Sequence, residues 1–368
     1  MKISIIGSRG YPYVYSGYET FVKELSERLV KQGIEVRVYC HKQLFKEKPT
    51  QVNGIQLIYI PTIETKILSQ LIHSFLSMFH ACFSSADVIL VVNAANGPWG
   101  IISRLFRKKT MINVDGMEWL RPKWKGLGAK YFKVAAWLST RLYDRIITDA
   151  EAMRQVYLKE FNKDSTVIAY GANIRYSQQP ELLKTFGLIP QEYYLIVGRL
   201  IPDNNSDLLL EGFLRANSSK KLVIVGDVPY KDQFAMSMKT KASDRVIFLG
   251  YINNSEILAE LYHHCHAYLH GHEFGGTNPT MLKAMAYGCA ILALNTVFNK
   301  EMLADGQFGL FFEKNPDSLA ILMQRTENDT DLMQKFRTAS RQGITKKYDW
   351  DTVTAQYLEE MKRLKKVF

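Results

Sequence analysis

Three groups of residues have the types and spacing to hold an anionic ligand. The segment GHEFGGTNPTMLKAMAYG (271–288) places Gly275, Gly276 and Thr277 ahead of an Asn278-Pro279 step. Asn is a good helix cap, and Pro at the first helical position has no N–H to leave unpaired, so the residues after it read as a short helix that Gly288 ends. Bare glycine backbone admits close approach, and a helix start carries partial positive charge. A phosphate suits that combination, while an ordinary strand–turn–helix joint is the plainer reading. Lys283, one turn into the helix, is either a cation for the same anion or an exposed lysine. The second group, VGRLIPDNNSDLLLEG (197–212), follows a strand, and its Arg199 is a fork-shaped donor matched to a diphosphate or, more plainly, a surface arginine. The third, GSRGYPYVYSGYET (7–20), spaces Gly7, Gly10 and Gly17 unlike the dinucleotide fingerprint, and no acid closes the following strand at Cys40. It reads as a longer loop with Gly17 just ahead of a helix.

The elements that position these loops alternate along the chain. KISIIG (2–7), EVRVYC (35–40), IQLIYI (55–60), DVILVV (87–92), KTMINV (109–114) and DRIITD (144–149) read as strands, with helices at 17–33, 67–84 and 127–143. The pattern restarts with YYLIVG (193–198), KLVIVG (221–226), RVIFLG (245–250), AYLHG (267–271) and AILAL (290–294). Apolar strands alternating with helices mean parallel sheets covered on both faces. The expectation is an α/β protein of two doubly wound, Rossmann-like domains facing a cleft, at 1–175 and 176–349. The stretch 171–190 reads as a linker, and 350–368 as a helix packing back toward the first domain.

Composition narrows the partners. The 368 residues carry a net charge of +11, and all of it lies in 1–175, where 25 Lys and Arg face 14 Asp and Glu. RLFRKK (104–109) and RPKWKGLGAKYFK (121–133) concentrate the excess among aromatic residues. An anionic inner-leaflet membrane surface, or a lipid diphosphate on it, fits better than nucleic acid, for which no recognition motif is present; a merely basic solvated surface is the third option. Four cysteines without metal or framework spacing suit a reducing cytoplasm. No apolar run reaches the roughly 20 residues of a membrane span; the nearest, 67–83, is interrupted by His73 and His80. Neighbouring residues in HHCH (263–266) diverge around a helix, so no metal is expected. His270 and His272 read as hydrogen-bonded structural histidines.

IGSRGYPYVYSGYETFVKEL, NVDGMEWLRPKW (113–124), the DAEAM stretch from Asp149, IAYGAN (168–173) and HEFGGTNPTMLKAMAYGCAILAL together resemble a retaining GT-B glycosyltransferase of family 4. Over essentially the whole chain the resemblance is to the bacterial branch that includes rhamnosyltransferases of polysaccharide assembly. It implies a nucleotide-sugar donor in the C-terminal domain and a saccharide or lipid-diphosphate-linked acceptor in the N-terminal one. Gly17 would approach the donor diphosphate, Arg199 would balance the leaving group's charge, and Glu273 would meet the sugar or the pyrophosphate pocket. Asn204, Gly275, Gly276, Thr277, Asn278 and Lys283 would complete the donor site. Asp115 and Glu118, with Trp119 and Arg121, would meet the acceptor, either carboxylate being placed to take its proton. The resemblance implies no cofactor beyond the donor, a dTDP- or UDP-sugar, and dTDP-rhamnose ahead of UDP-glucose or UDP-galactose.

Two positions depart from the pattern. Lys283 replaces a glutamate that commonly accepts hydrogen bonds from ribose hydroxyls; a lysine only donates. Asn204 replaces the lysine that often follows the arginine by five. The expectation is therefore an active transferase, with a non-catalytic subunit that binds a partner transferase or glycolipid as the alternative.

Overall fold

The computed structural model describes residues 1–12, 17–63, 65, 68–121, 124, 126–228 and 232–366. The loop residues 13–16, and Pro122, Lys123 and Lys125 of the basic stretch, lie outside the described residues. The chain divides into Met1–Tyr170 with Trp350–Phe368, and Gly171–Asp349.

The first unit is built on eight strands: β1 (Lys2–Ile6), β2 (Glu35–His41), β3 (Gln51–Val52), β4 (Ile55–Ile60), β5 (Val88–Val92), β6 (Thr110–Val114), β7 (Arg145–Thr148) and β8 (Thr166–Val167). Their order is β3-β4-β2-β1-β5-β6-β7-β8, and all pairs are parallel except β3 with β4. Between them run α1 (Gly17–Lys31), α2 (Leu68–Cys82), α3 (Gly100–Leu105), α4 (Leu127–Leu142) and α5 (Glu151–Phe161). Ile3, Ile5, Leu90 and Ile112 are fully buried, as continuous apolar strands covered on both faces must be. Phe21, Leu25 and Leu29 bury one stripe of α1 at four-residue spacing.

The second unit holds β9 (Tyr193–Val197), β10 (Lys221–Val225), β11 (Val246–Gly250), β12 (Ala267–His270), β13 (Ile291–Leu294) and β14 (Leu310–Phe312). All are parallel, in the order β11-β10-β9-β12-β13-β14. Its helices are α6 (Ser206–Ala216), α7 (Gln233–Lys239), α8 (Ser255–His264), α9 (Pro279–Ala286), α10 (Val297–Met302), α11 (Pro316–Thr326) and α12 (Thr330–Gly343). Strand order reverses between β9 and β12, and in the first unit between β1 and β5. Loops leaving adjacent strands at such a switch point diverge and open a crevice at their carboxyl ends.

The last helix, α13 (Trp350–Lys366), belongs to the first unit. Trp350 and Tyr357 stand 6.3 and 5.2 Å from the ring of Phe21, and Arg28 Nε donates to Asp351 at 2.7 Å. The stretch 171–190 is not a free linker. Arg175 pairs with Glu256, the Gln178 and Gln179 N–H groups donate to Glu260 at 2.8 and 2.9 Å, and Pro180–Phe186 forms a short helix.

Candidate functional site

In the second unit the crevice at the switch point is made by the loops after β9 and β12. Backbone approach there is close. A Cβ on Gly226, whose φ is +122°, would lie 2.0 Å from the Gly198 carbonyl oxygen, so the loop after β10 can only run there as glycine. Arg199 follows with its guanidinium exposed, and among the described residues that group forms no hydrogen bond or ion pair. Asn204 ties the two loops together: its Nδ2 donates to the Arg199 carbonyl at 2.7 Å and its Oδ1 meets His272 Nδ1 at 2.9 Å. The position where the resemblance leads one to expect a lysine thus serves as a brace.

From β12 the chain runs through buried His270 and Gly271 into the glycine segment. Burial pushes the His270 imidazole down to about 3, so the ring is neutral; its Nδ1 lies 3.3 Å from the Tyr268 hydroxyl. Glu273 is half-buried and pairs with Lys314, beyond β14, at 2.6 Å, while Asn205 Nδ2 donates to the same carboxylate at 3.4 Å. Gly275 has φ +130°, which a residue with a side chain rarely adopts, and Gly275, Gly276 and Thr277 are buried.

Asn278 caps α9 by accepting from the N–H groups of Thr280 and Met281 at 2.9 and 3.4 Å. Those are the first helical N–H groups, so the cap itself satisfies the donors that the sequence alone aims at a phosphate. Any anion here meets the backbone of the glycines and the field of the helix, with Asn278 as scaffold. Lys283 is not the exposed lysine of the plainer reading. It is half-buried and has a polar or electrostatic partner of its own.

In the first unit, Asp115 leaves the end of β6 into a cluster of hydroxyls. Its Oδ1 accepts from Tyr18 and its Oδ2 from Tyr170 at 3.0 Å. The same Tyr170 hydroxyl hydrogen is shared with Asn113 Oδ1, also at 3.0 Å, and Asn113 Nδ2 donates to the Tyr357 hydroxyl on α13 at 2.8 Å. Burial, helped by the Glu118 carboxylate and opposed by Tyr170 and Arg121, pushes the Asp115 carboxyl up to about 6. A carboxylate there is half-poised to accept a proton near neutral pH. Gly17 opens α1 directly before Tyr18, so the glycine loop and Asp115 share one hydroxyl bridge.

The remaining residues of this stretch hold the loop. Glu118 pairs with Arg121 at 2.9 Å and accepts from the Trp124 indole at 2.8 Å. The Trp119 ring packs edge-on against Tyr157 and Phe161, at 6.4 and 5.8 Å. Tyr18, Tyr170 and Lys314 are absent from the sequence-derived candidates. Tyr18 and Tyr170 lie inside the quoted motifs, but only the fold turns them onto Asp115. The HHCH residues take separate surroundings: His263 stacks on Tyr287, His264 pairs with Glu260, Cys265 is buried against Tyr262, and His266 lies edge-on to Tyr194.

Two parallel-sheet α/β units of this topology make up the GT-B fold, which the chain shares with glycosyltransferases of known structure. Residues 178–343 match the glycosyl transferases group 1 family, and residues 1–173 match a domain of unknown function, DUF1972. Sucrose-phosphate synthase from Thermosynechococcus elongatus superposes with a TM-score of 0.82 at 16% identity, covering 99% of this chain and 98% of that one. Anabaena HepE, solved in complex with UDP, superposes at 0.78 and 17% identity over 99% of this chain and 100% of its own. At those identities the likeness concerns the fold. A curated relative from Campylobacter jejuni, N-acetylgalactosamine-N,N'-diacetylbacillosaminyl-diphospho-undecaprenol 4-alpha-N-acetylgalactosaminyltransferase, is 25% identical over 150 residues. That alignment spans 40% of either chain.

Proposed function

We propose that this protein is a glycosyltransferase that moves a sugar from a nucleotide-sugar donor to a saccharide or lipid-diphosphate-linked acceptor. The observation that carries the reading is the exposed Arg199 guanidinium, without a hydrogen bond or ion pair among the described residues, in the loop after β9 at the same switch point from which the Gly275-Gly276 segment leaves β12, in the unit that matches the group 1 family. A fork of donors there offsets the charge that builds on the diphosphate as the sugar's bond to it breaks. Asp115, held by two tyrosines, binds the acceptor hydroxyl and takes its proton. Retention of configuration and membership of family 4 rest on the sequence resemblance alone, and no side chain is assigned as nucleophile. The relative that acts on a diphospho-undecaprenol substrate supports a lipid-linked acceptor, and the basic first half supports attachment at an anionic membrane.

For the donor, the UDP and UDP-glucose complexes of HepE support UDP-sugars, and the branch resemblance alone supports dTDP-rhamnose. The test is a panel of UDP- and dTDP-sugars incubated with purified protein and read by released nucleotide. Release from one donor, accelerated by a lipid-linked acceptor, is the expected result. Neither release nor nucleotide binding from any donor would overturn the reading and leave the non-catalytic alternative.

A further inference from the structure

Within the apolar run read at 67–83, too short to cross a membrane, Leu68–Cys82 folds as the amphipathic helix α2, whose outward face is the unusual one. Among the described residues no helix is long and apolar enough to span a bilayer. Helix α2 turns His73 inward, its ring 4.0 Å from that of His41, and leaves Phe79 and, just past its end, Phe83 48% and 67% exposed. Leu105 and Phe106, at the end of α3, are 75% and 39% exposed. The Phe83 ring lies 5.1 Å from Phe79 and 4.9 Å from Phe106, so the aromatic surface is continuous. A groove of about 240 Å³ opens in it between Phe79, His80, Phe83 and Ser84.

Helix α4 lies alongside, tied by a 2.9 Å hydrogen bond from Arg104 Nε to the Leu142 carbonyl. Its outer stripe repeats at three- and four-residue spacing: Leu127, Lys130, Val134, Trp137 and Arg141, all exposed. Arg104 and Arg107 stand beside Leu105 and Phe106. None of α2, α3 or α4 contains an Asp or Glu.

This chemistry selects the occupant. A second copy would press like charge on like charge across a two-fold contact. An anionic bilayer meets both halves of the surface, because aromatic rings settle at headgroup level while Lys and Arg pair with lipid phosphates. We propose that the α2–α3–α4 face docks the protein on an anionic lipid bilayer, with Phe83, Leu105, Phe106 and Trp137 entering the headgroup layer. This deepens the reading of a lipid-borne acceptor and rests on it for the choice of a membrane.

The test is sedimentation of the full chain with phosphatidylcholine vesicles, with or without about a third phosphatidylglycerol. Binding is expected only with the anionic lipid, and to fall as salt rises from roughly 0.05 to 0.5 M. Phe83→Glu with Leu105→Glu should lower the bound fraction about tenfold. Arg107→Gln with Lys130→Gln should weaken binding at moderate salt, and Ile321→Glu, at an exposed position in the second unit, should leave it unchanged. Equal binding to neutral vesicles, or equal loss in the Ile321 variant, would overturn the proposal. So would self-association without lipid that Phe83→Glu with Leu105→Glu abolishes, since the face would then be an interface between copies. Nucleotide binding without vesicles, measured by calorimetry, reports the transferase reading separately and should be the same in wild type and every surface variant.

Discussion

Replacing Asp115 with Asn should make the protein more stable at neutral pH while removing most of its activity. The folded-state carboxyl titrates near 6 against an ordinary value of 3.8. Because the folded value is the higher one, the unfolded chain gives up its proton first, and stability falls as pH rises from about 4 through 6. At about 1.4 kcal/mol per pH unit the ionised group costs the fold up to about 3 kcal/mol above pH 7. An Asn is uncharged throughout. It accepts from one tyrosine and offers its NH2 to the other, so a gain of about 1–3 kcal/mol at pH 8 should shrink to nothing below pH 4. Urea denaturation followed by circular dichroism at both pH values reads the stability. Wild-type turnover should rise with pH through an apparent value near 6, and the variant should lose about 10²-fold or more. A variant that is destabilised at pH 8, or that keeps full activity, would refute the reasoning.

Arg199→Ala should lower turnover by about 10²-fold with the fold intact, as expected for loss of one charge-assisted donor; full activity would end its assignment. Lys283→Ala and Lys283→Glu should separate two roles. A phosphate-facing lysine loses nucleotide affinity in both, most in the glutamate variant, whereas a ribose-facing position is improved by glutamate; calorimetric titration with UDP and dTDP decides, and three identical affinities would remove Lys283 from the site. Burial holds His270 neutral, so its contribution to stability is full above pH 6.5 and is lost as pH falls toward 3, by about 2 kcal/mol at pH 5. His270→Gln should flatten that part of the urea-midpoint profile.

The central strands were legible because each is a run of apolar residues bounded by glycine or charge, and the two restarts of that pattern gave two sheets. The hairpin of β3 and β4 was missed although Asn53-Gly54, both at positive φ, is a strong turn signal; a two-residue strand has too little pattern to register. Helices α11 and α12 also went unassigned, despite Asn315 and Asp329 capping them. Among the candidate residues of the two units, Gly275, Arg199 and Asp115 could be named by type. What single-sequence reasoning could not supply was pairing between distant residues: Glu273 with Lys314, Asn204 with His272, and Asp115 with Tyr18 and Tyr170. It also took the N–H groups at the start of α9 as free, where the same Asn278 that announces the helix uses them.

Helix α13 gives the chain an order of assembly during synthesis. Phe21 packs 5.3 Å from Tyr170 and is covered by Trp350 and Tyr357, which are translated long after it. The unit that emerges first from the ribosome therefore waits, with an apolar face of α1 open, while all of Gly171–Asp349 is made and can fold as a unit within it. A nascent chain stalled before Trp350 would lack the Tyr357 hydroxyl that Asn113 meets, and through Asn113 and Tyr170 the Asp115 carboxyl would lose part of its setting. Synthesis of α13 and completion of the hydrogen-bonded setting of that carboxyl are then one event, so a chain that stops before Trp350 would carry the Asp115 cluster unfinished and the apolar face of α1 uncovered.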